Sequence, residues 1–464
     1  MNKATGVDGL GTVSEIADMV SGEVLGSSEG PVIRVDIDSR TCTVGTLFVA
    51  LPGTRTDGHR FVADAVEKGA VASLVAREQS ASLDLEGLRS RAALILVDDP
   101  LAALQELAAQ HRRRLPGMTW VGITGSNGKT TTKELLASIL SAGYGEDAVC
   151  WSRGNYNSEI GLPLSVLSVE PYHRVAVLEM GMNQPGEMAE LARIALPTRA
   201  IITNIGDAHI GNVGSRDGIA REKREIFSRL TEDDVAFVRE DEPYRDFLVE
   251  QTRARAVLYG PESTDGYQGA RLSGDGWLLS WRGREIPLAL PGWHNVLNAL
   301  AAVSLCSELG VGDEAVARGL AAVRPVSGRM ERIDGAVTIL NDSYNANSAS
   351  MRAAFETFAE LPSEGRKIAV IGEMAELGDY SADTHTTVAR DAASRGFDLV
   401  LAVGQEYRRA LAETPSSLRF PETVDEAGRL LRDLLRPGDT VLLKGSRAAG
   451  MEQLIPVIRD LEKE

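Results

Sequence analysis

The stretch Gly122-Ile123-Thr124-Gly125-Ser126-Asn127-Gly128-Lys129-Thr130 combines glycine, lysine and a hydroxyl in the spacing that a triphosphate cradle requires. Glycines let the backbone pass close to phosphate oxygens, so that successive N–H groups and a helix N-terminus point at one anion. Lys129 would neutralise charge on the β- and γ-phosphates, and the Thr130 hydroxyl can join the coordination shell of Mg²⁺. Ile123 stands where the common phosphate-loop pattern has glycine, so the match is Gly-x-x-Gly-Lys-Thr together with its flanks. On one side lies the apolar run 119–123, read as a strand. On the other, Leu135, Leu136, Ile139 and Leu140 share one face of a helix.

More polar residues fall where runs read as strands end. Glu179 closes Val175-Ala176-Val177-Leu178 and precedes Met180-Gly181, so a parallel sheet would turn its carboxylate toward the phosphate crevice. There it is either a Mg²⁺ ligand or an exposed strand-end acid. Asn204 ends the next run, and His209 follows in the same loop, as a metal ligand or as a hydrogen-bonding residue. Downstream, Ala220-Arg221-Glu222-Lys223-Arg224-Glu225-Ile226-Phe227 reads as a solvated, charged helix face with Ile226 and Phe227 turned inward. In Trp293-His294-Asn295-Val296-Leu297-Asn298, Asn295 either caps an apolar helix or reads a purine edge through its paired donor and acceptor.

Such residues need a scaffold, and the spacing of apolar runs describes one. Runs at 32–37, 47–51 and 93–97, with a helical stretch at 63–68 before Gly69, make a small α/β unit. The basic run Arg112-Arg113-Arg114-Leu115-Pro116-Gly117 reads as a linker. Runs at 119–123, 175–179, 200–204, 235–238 and 257–259 then alternate with helical stretches, the pattern of a parallel sheet wrapped by helices. A hairpin of 277–281 and 285–290 across Arg282-Gly283-Arg284 interrupts that order. A third α/β unit begins near Pro325, with strands at 337–340, 367–371, 399–403 and 440–443.

Composition narrows the class. A chain of 464 residues suggests about three domains, and 43% hydrophobic content suffices for their cores. No apolar run approaches the roughly 18 residues of a membrane span, and Glu15 and Asp18 interrupt the N-terminal stretch, so a cytoplasmic protein without membrane insertion is expected. Cys42, Cys150 and Cys306 are scattered without Cys-x-x-Cys spacing, which fits reduced thiols and neither a disulfide framework nor a zinc site. A net charge of −17 argues against nucleic-acid and anionic-membrane partners. A monomer acting on small molecules is expected.

Taken in order, 122–130, Glu179-Met180-Gly181, 204–209, Lys223 before Glu225-Ile226-Phe227, and His294-Asn295-x-x-Asn298-Ala299 resemble the ATP-dependent Mur ligase family of peptidoglycan precursor synthesis. Asp342-Ser343-Tyr344-Asn345-Ala346-Asn347, Gly372-Glu373-Met374-Ala375-Glu376-Leu377-Gly378 and Lys444-Gly445-Ser446-Arg447 are similar to the dipeptide-adding member of that family. Ser158 and Ser348 stand where family members often carry asparagine and proline.

The resemblance implies an α/β fold of three domains: 1–115, binding the UDP-sugar end through Ser39 and Arg40; 116–324, a P-loop parallel-sheet ATPase domain; and 325–464, a Rossmann-like domain for the incoming dipeptide. It implies that Gly125, Ser126, Asn127, Gly128, Lys129, Thr130, Thr131, Asn295, Asn298 and Asp342 hold ATP, with Asp342 on the ribose hydroxyls. Thr130, Glu179, His209 and a carbamylated Lys223 would surround Mg²⁺, while Lys129, Lys223, His209 and Arg329 serve catalysis, Arg329 reaching the γ-phosphate. Asn155 and Asn157 would line the muramoyl-peptide site, and Asn345 and Asn347 would orient the dipeptide. The implied reaction activates the carboxylate of a UDP-N-acetylmuramoyl-tripeptide as an acyl phosphate, which the amine of D-alanyl-D-alanine then attacks. Two other readings are a ligase of the same architecture that adds a single amino acid, or glutamate to a folate, and a nucleotide-driven switch or motor. Against the second, no strand ends in the Asp-Glu pair typical of motors.

Overall fold

Three sheets, each built on nearly unbroken aliphatic runs, organise the chain in its computed structural model, which describes residues 9–27, 29–53, 56–410 and 417–460. Positions 1–8 and 461–464 of the expected outer units lie outside the described residues. In the first unit the strands run Glu23–Leu25, Ala93–Val97, Ala70–Ala76, Thr46–Val49 and Arg34–Asp36 across the sheet, parallel except at the Glu23–Leu25 edge. The run 32–37 is not one strand. It breaks at Ile33, whose N–H donates to the Gly45 carbonyl at 2.8 Å, and Pro31–Val32 pairs instead with Gly11–Thr12.

The central sheet is wholly parallel, in the order Arg255–Tyr259, Val235–Arg239, Arg199–Ile202, Thr119–Thr124, Val175–Glu179 and Val149–Trp151. Val175–Glu179 is buried along its whole length, as a strand covered by helices on both faces must be. The strand order reverses direction at Thr119–Thr124, and a crevice opens beyond the carboxyl ends of the strands at such a switch point. On one face, helix Lys129–Tyr144 packs with Trp293–Glu308 and Asp313–Ala322. On the other, helix Pro100–Arg113 of the first unit packs against Gly161–Leu167 and Glu187–Ala195, so one apolar core runs through both units.

That packing overturns the linker at 112–117. Arg112 lies in the last turn of helix Pro100–Arg113, where its Nε and Nη2 donate to the carbonyls of Ala195 and Leu196 at 2.9 and 2.8 Å. Its guanidinium stacks 4.5 Å from the Trp120 ring, and burial pushes its pKa down to about 10. A basic residue thus satisfies the orphan carbonyls that end helix Glu187–Ala195. The expected hairpin is a three-stranded antiparallel sheet, Tyr267–Ser273, Gly276–Trp281 and Arg284–Leu288; its first strand is largely exposed and polar and gave no apolar signal.

In the third unit the order is Glu331–Ile333, Thr338–Asp342, Thr440–Lys444, Lys367–Gly372, Leu399–Val403 and Leu418–Arg419, parallel except for the first pair. Separate apolar cores cover its two faces. Among the described residues, no helix is long and apolar enough to cross a membrane.

One polar group in this core carries a pH dependence. His385 is fully buried; its Nε2 accepts the Met374 N–H at 3.0 Å and its Nδ1 donates to the Ser381 carbonyl at 2.8 Å. Burial lowers its pKa, opposed by the Ser381 carbonyl and by Glu373 and Glu406, and burial likewise lowers that of His111. The native protein therefore binds fewer protons than the unfolded chain once pH falls below the ordinary imidazole value of 6.5. The stability these two histidines contribute is complete above pH 6.5 and is lost as pH falls from there through their native values. Urea unfolding should show a lower midpoint at pH 5 than at pH 7.5, with a smaller difference in His385→Gln.

Candidate active site

The loop between strand Thr119–Thr124 and helix Lys129–Tyr144 needs its glycines for two reasons. Gly125 and Gly128 have φ of +148° and +83°, which other residues rarely adopt. A Cβ would also lie 1.9 Å from Thr203 Oγ1 at the first and 2.5 Å from Asn298 Oδ1 at the second. The loop that follows the adjacent strand Arg199–Ile202 braces the phosphate loop, since the N–H groups of Ser126 and Asn127 donate to the carbonyl and Oδ1 of Asn204, both at 3.0 Å. Lys129 opens the helix, and its Nζ folds back to the Gly125 carbonyl at 2.8 Å. Burial lowers the pKa of this ammonium, the Glu179 carboxylate opposes that shift, and Arg329 adds to it.

Beside the loop, Thr130 Oγ1 donates to Glu179 Oε2 at 2.9 Å, and Asn157 Nδ2 donates to Glu179 Oε1 at 2.7 Å. Lys133, fully buried one turn beyond Lys129, brings its Nζ to 3.8 Å from Glu179 Oε2 and 3.1 Å from Glu134 Oε1. Sequence reasoning passed over Lys133, although four-residue spacing from Lys129 sets it on the same helix face. Thr130, Glu179 and His209 line one cavity of about 470 Å³. Among the described residues no three His, Cys, Asp or Glu side chains cluster to hold a metal. The donor set nevertheless fits Mg²⁺, which is usually bound through one or two carboxylates and substrate phosphates.

Helix Arg216–Arg224 does not present the expected solvated face. Glu222 is buried, with Oε1 accepting the Met188 N–H at 3.0 Å. Lys223 is 1% exposed and makes no hydrogen bond or ion pair with the described residues. Burial first, then the Lys129 ammonium, hold its pKa well below the lysine range. Ile226 and Phe227 are buried, as expected.

The third unit closes over this crevice. Arg329 lines the cavity with its guanidinium 4.2 Å from the Tyr344 ring, and its buried Nε has no hydrogen-bond partner among the described residues. Asp342 is engaged: Oδ2 accepts Lys444 Nζ at 2.6 Å and Oδ1 accepts the Met330 N–H at 3.1 Å. Asn347 caps helix Ser348–Glu360 through the Ser350 N–H and donates from Nδ2 to Asn127 Oδ1 at 2.8 Å, across the two units. Asn345, exposed on the cavity wall, accepts the Ala346 N–H on its Oδ1 at 2.9 Å.

Ser126, Asn127, Gly128, Thr131, Asn155, Asn157, Asn295 and Asn298 line the same cavity. Asn295 is not the helix cap. Gly292 holds that place, and Asn295 Nδ2 donates to the Pro291 carbonyl at 2.7 Å. Ser39 and Arg40 do not line this cavity; they lie on the turn Ser39–Thr41 of the first unit, where Arg40 pairs with Asp38 at 2.7 Å and pushes its carboxyl down to about 2. Arg239 and Tyr259 were missed, yet both close strands of the central sheet and line the cavity, where the carboxyl-end rule would have placed them.

Comparison with known proteins covers nearly the whole chain. Residues 32–112 match the Mur ligase family, catalytic domain; 123–306 the Mur ligase middle domain; and 328–447 the Mur ligase, glutamate ligase domain. A UDP-N-acetylmuramoyl-tripeptide–D-alanyl-D-alanine ligase of Treponema pallidum is 39% identical over 92% of this chain and 93% of its own length. The protein of that name in Bacillus subtilis is 36% identical over 96% and 97%. Among solved structures, MurF from Acinetobacter baumannii superposes with a TM-score of 0.86 at 32% identity over 97% of this chain and 99% of that one. MurF ligase from Thermotoga maritima in complex with ADP gives 0.79 at 28% identity over 93% and 98%.

Proposed function

The chain belongs to the Mur ligase family, and on that premise we propose that it joins D-alanyl-D-alanine to a UDP-N-acetylmuramoyl-tripeptide, converting one ATP to ADP and phosphate. The observation that carries this reading is a cavity in which the phosphate loop of the central unit meets Arg329, Asn345 and Asn347 of the third. We take the working domains as 1–115, 116–324 and 325–464.

A carboxylate is a poor electrophile, so the terminal carboxylate oxygen of the tripeptide attacks the γ-phosphorus as its bond to ADP breaks. The dipeptide amine then attacks the acyl carbon, phosphate leaves, and the amine gives up a proton. Both steps place negative charge on oxygens. Lys129 and the first-turn N–H groups of helix Lys129–Tyr144 face that charge from the central unit. Arg329 faces it from the third, and stacking on Tyr344 holds its guanidinium by the face, so its N–H edge stays available to phosphate oxygens. Docking of the third unit also shields the acyl group from water, which would otherwise hydrolyse it.

Mg²⁺, when bound, supplies positive charge to the phosphate oxygens; Glu179 and Thr130 would hold it, with His209 nearby. A carbamate at Lys223 fits the buried amine, which pairs with none of the described residues, and would give the neighbouring Lys129 an anionic partner.

The test is product analysis with ATP, Mg²⁺, the tripeptide nucleotide and D-alanyl-D-alanine. A UDP-muramoyl-pentapeptide is expected by mass spectrometry, with little product from D-alanine alone. Equal use of one free amino acid would favour another ligase of this architecture, and ATP turnover indifferent to both acceptors would favour a switch.

A further inference from the structure

Six features meet where the loop 207–214 of the central unit touches the segment 373–380 of the third. His209 and Glu376 both carry positive φ, +65° and +61°, a conformation that side chains rarely adopt and that persists only where the surroundings impose it. The Glu376 carboxylate pairs with His209 Nδ1. The Glu376 carbonyl accepts the Gly211 N–H at 2.9 Å, and Tyr380 donates its hydroxyl to the Gly214 carbonyl at 3.1 Å. The two backbones touch so closely that a Cβ on Gly211 would lie 2.6 Å from both the Glu376 carbonyl oxygen and the Gly378 nitrogen. Ile210, between these contacts, packs against the cores of both units.

We propose that Glu376 is a positioning residue, contributed by the third unit, that orients His209 in the cavity wall and clasps the two units together when they close on the nucleotide. A carboxylate only accepts, so Nδ1 carries the proton toward Glu376, which in the neutral ring leaves the lone pair on Nε2. The imidazole of a loop residue thereby gains one tautomer and one orientation. It does so only when the third unit is docked, because its partner comes from there. The glycine at 211 is what lets the backbones come near enough for the carboxylate to reach. The signal was in the sequence, since Glu376 belongs to the 372–378 motif, but nothing local says that it faces a histidine 167 residues away.

The test compares wild type, Glu376→Gln, Glu376→Ala and Gly211→Ala as full-length proteins. The turnover arm rests on the ligase reading. Glu376→Ala and Gly211→Ala should lose about 10- to 100-fold in kcat while retaining ATP affinity, as expected when a reacting group is misplaced and the cradle is intact. Glu376→Gln, whose amide oxygen still accepts the Nδ1 proton, should stay close to wild type. The second arm is small-angle X-ray scattering with a non-hydrolysable ATP analogue, where both impaired variants should show a larger radius of gyration than wild type and Glu376→Gln should not. This arm needs no ligation, so if the wild-type protein makes no pentapeptide the ligase reading falls and the clasp is still read. The clasp is overturned if Glu376→Ala matches wild type in kcat and compaction, if Glu376→Gln is as impaired as Glu376→Ala, or if analogue binding is lost together with turnover.

Discussion

Lys129→Ala should lower turnover by about 100-fold or more while the protein stays folded, the size of effect seen when one fixed charge is removed from developing oxyanions. Lys129 sits at the first position of its helix, and its single hydrogen bond is to the carbonyl of Gly125 in the same loop. Deleting it removes little packing. It does remove the cation on which the phosphate charge depends, and whose desolvation already lowers its pKa beside Arg329. Phosphate release with all substrates present, read against a circular-dichroism melting curve, checks both halves. A folded Lys129→Ala protein with near-normal turnover would sink the assignment of this loop to ATP.

Lys223 should prove to work as a carbamate, and Lys223→Ala should cost about 10- to 100-fold in activity or metal affinity, the usual loss when a group that organises a metal site is removed. An ammonium in this position is electrostatically misplaced: it is buried, makes no hydrogen bond or ion pair with the described residues, and faces a second cation whose effect exceeds that of the opposing Glu222 carboxylate. Those conditions favour the neutral amine, which is the form that attacks carbon dioxide; the new N–C bond forms as one N–H proton is released. The product is an anion, and Lys129 then becomes an attractive neighbour. Because Lys223→Ala also changes a buried position, the wild-type protein supplies the second reading. Depleting carbon dioxide should remove activity, and bicarbonate should restore it. A metal-bound structure with an unmodified Lys223 ammonium turned to solvent would refute the carbamate.

The phosphate loop, the strand that ends at Glu179 and the helix after Lys129 were legible from a few adjacent residues each, because turn chemistry and apolar period are local properties; Asn204 instead falls in the loop beyond Arg199–Ile202, the strand it was expected to end. The burial of Glu222 and Lys223 was not. Five charged residues in a row, 221–225, read as a solvated face, and only the helices packed around them show that two of the five point inward. Arg112 misled for the same reason, since a basic run ending in proline and glycine has the composition of a linker even where its first arginine ties two helices together. The polar edge strands Tyr267–Ser273 and Glu331–Ile333 lacked a period because little of either is buried.

The sequence by itself determined the chemistry: a lysine and glycines that suit a triphosphate, acids and amides at strand ends, and an order of motifs shared with one ligase family. Tertiary structure alone decided which of those side chains remain available. Asp342 is taken up by Lys444, Asn347 by its helix and Asn127, and His209 by Glu376, while Arg329 Nε and the Lys223 amine have no hydrogen-bonding partner among the described residues. The physical reason is distance along the chain. A turn or helix face is set by residues within a few positions of one another, whereas these pairings join groups some 100 to 220 residues apart; the third sheet aligns Asp342 beside Lys444, and docking of the third unit on the central one brings the other two pairs together.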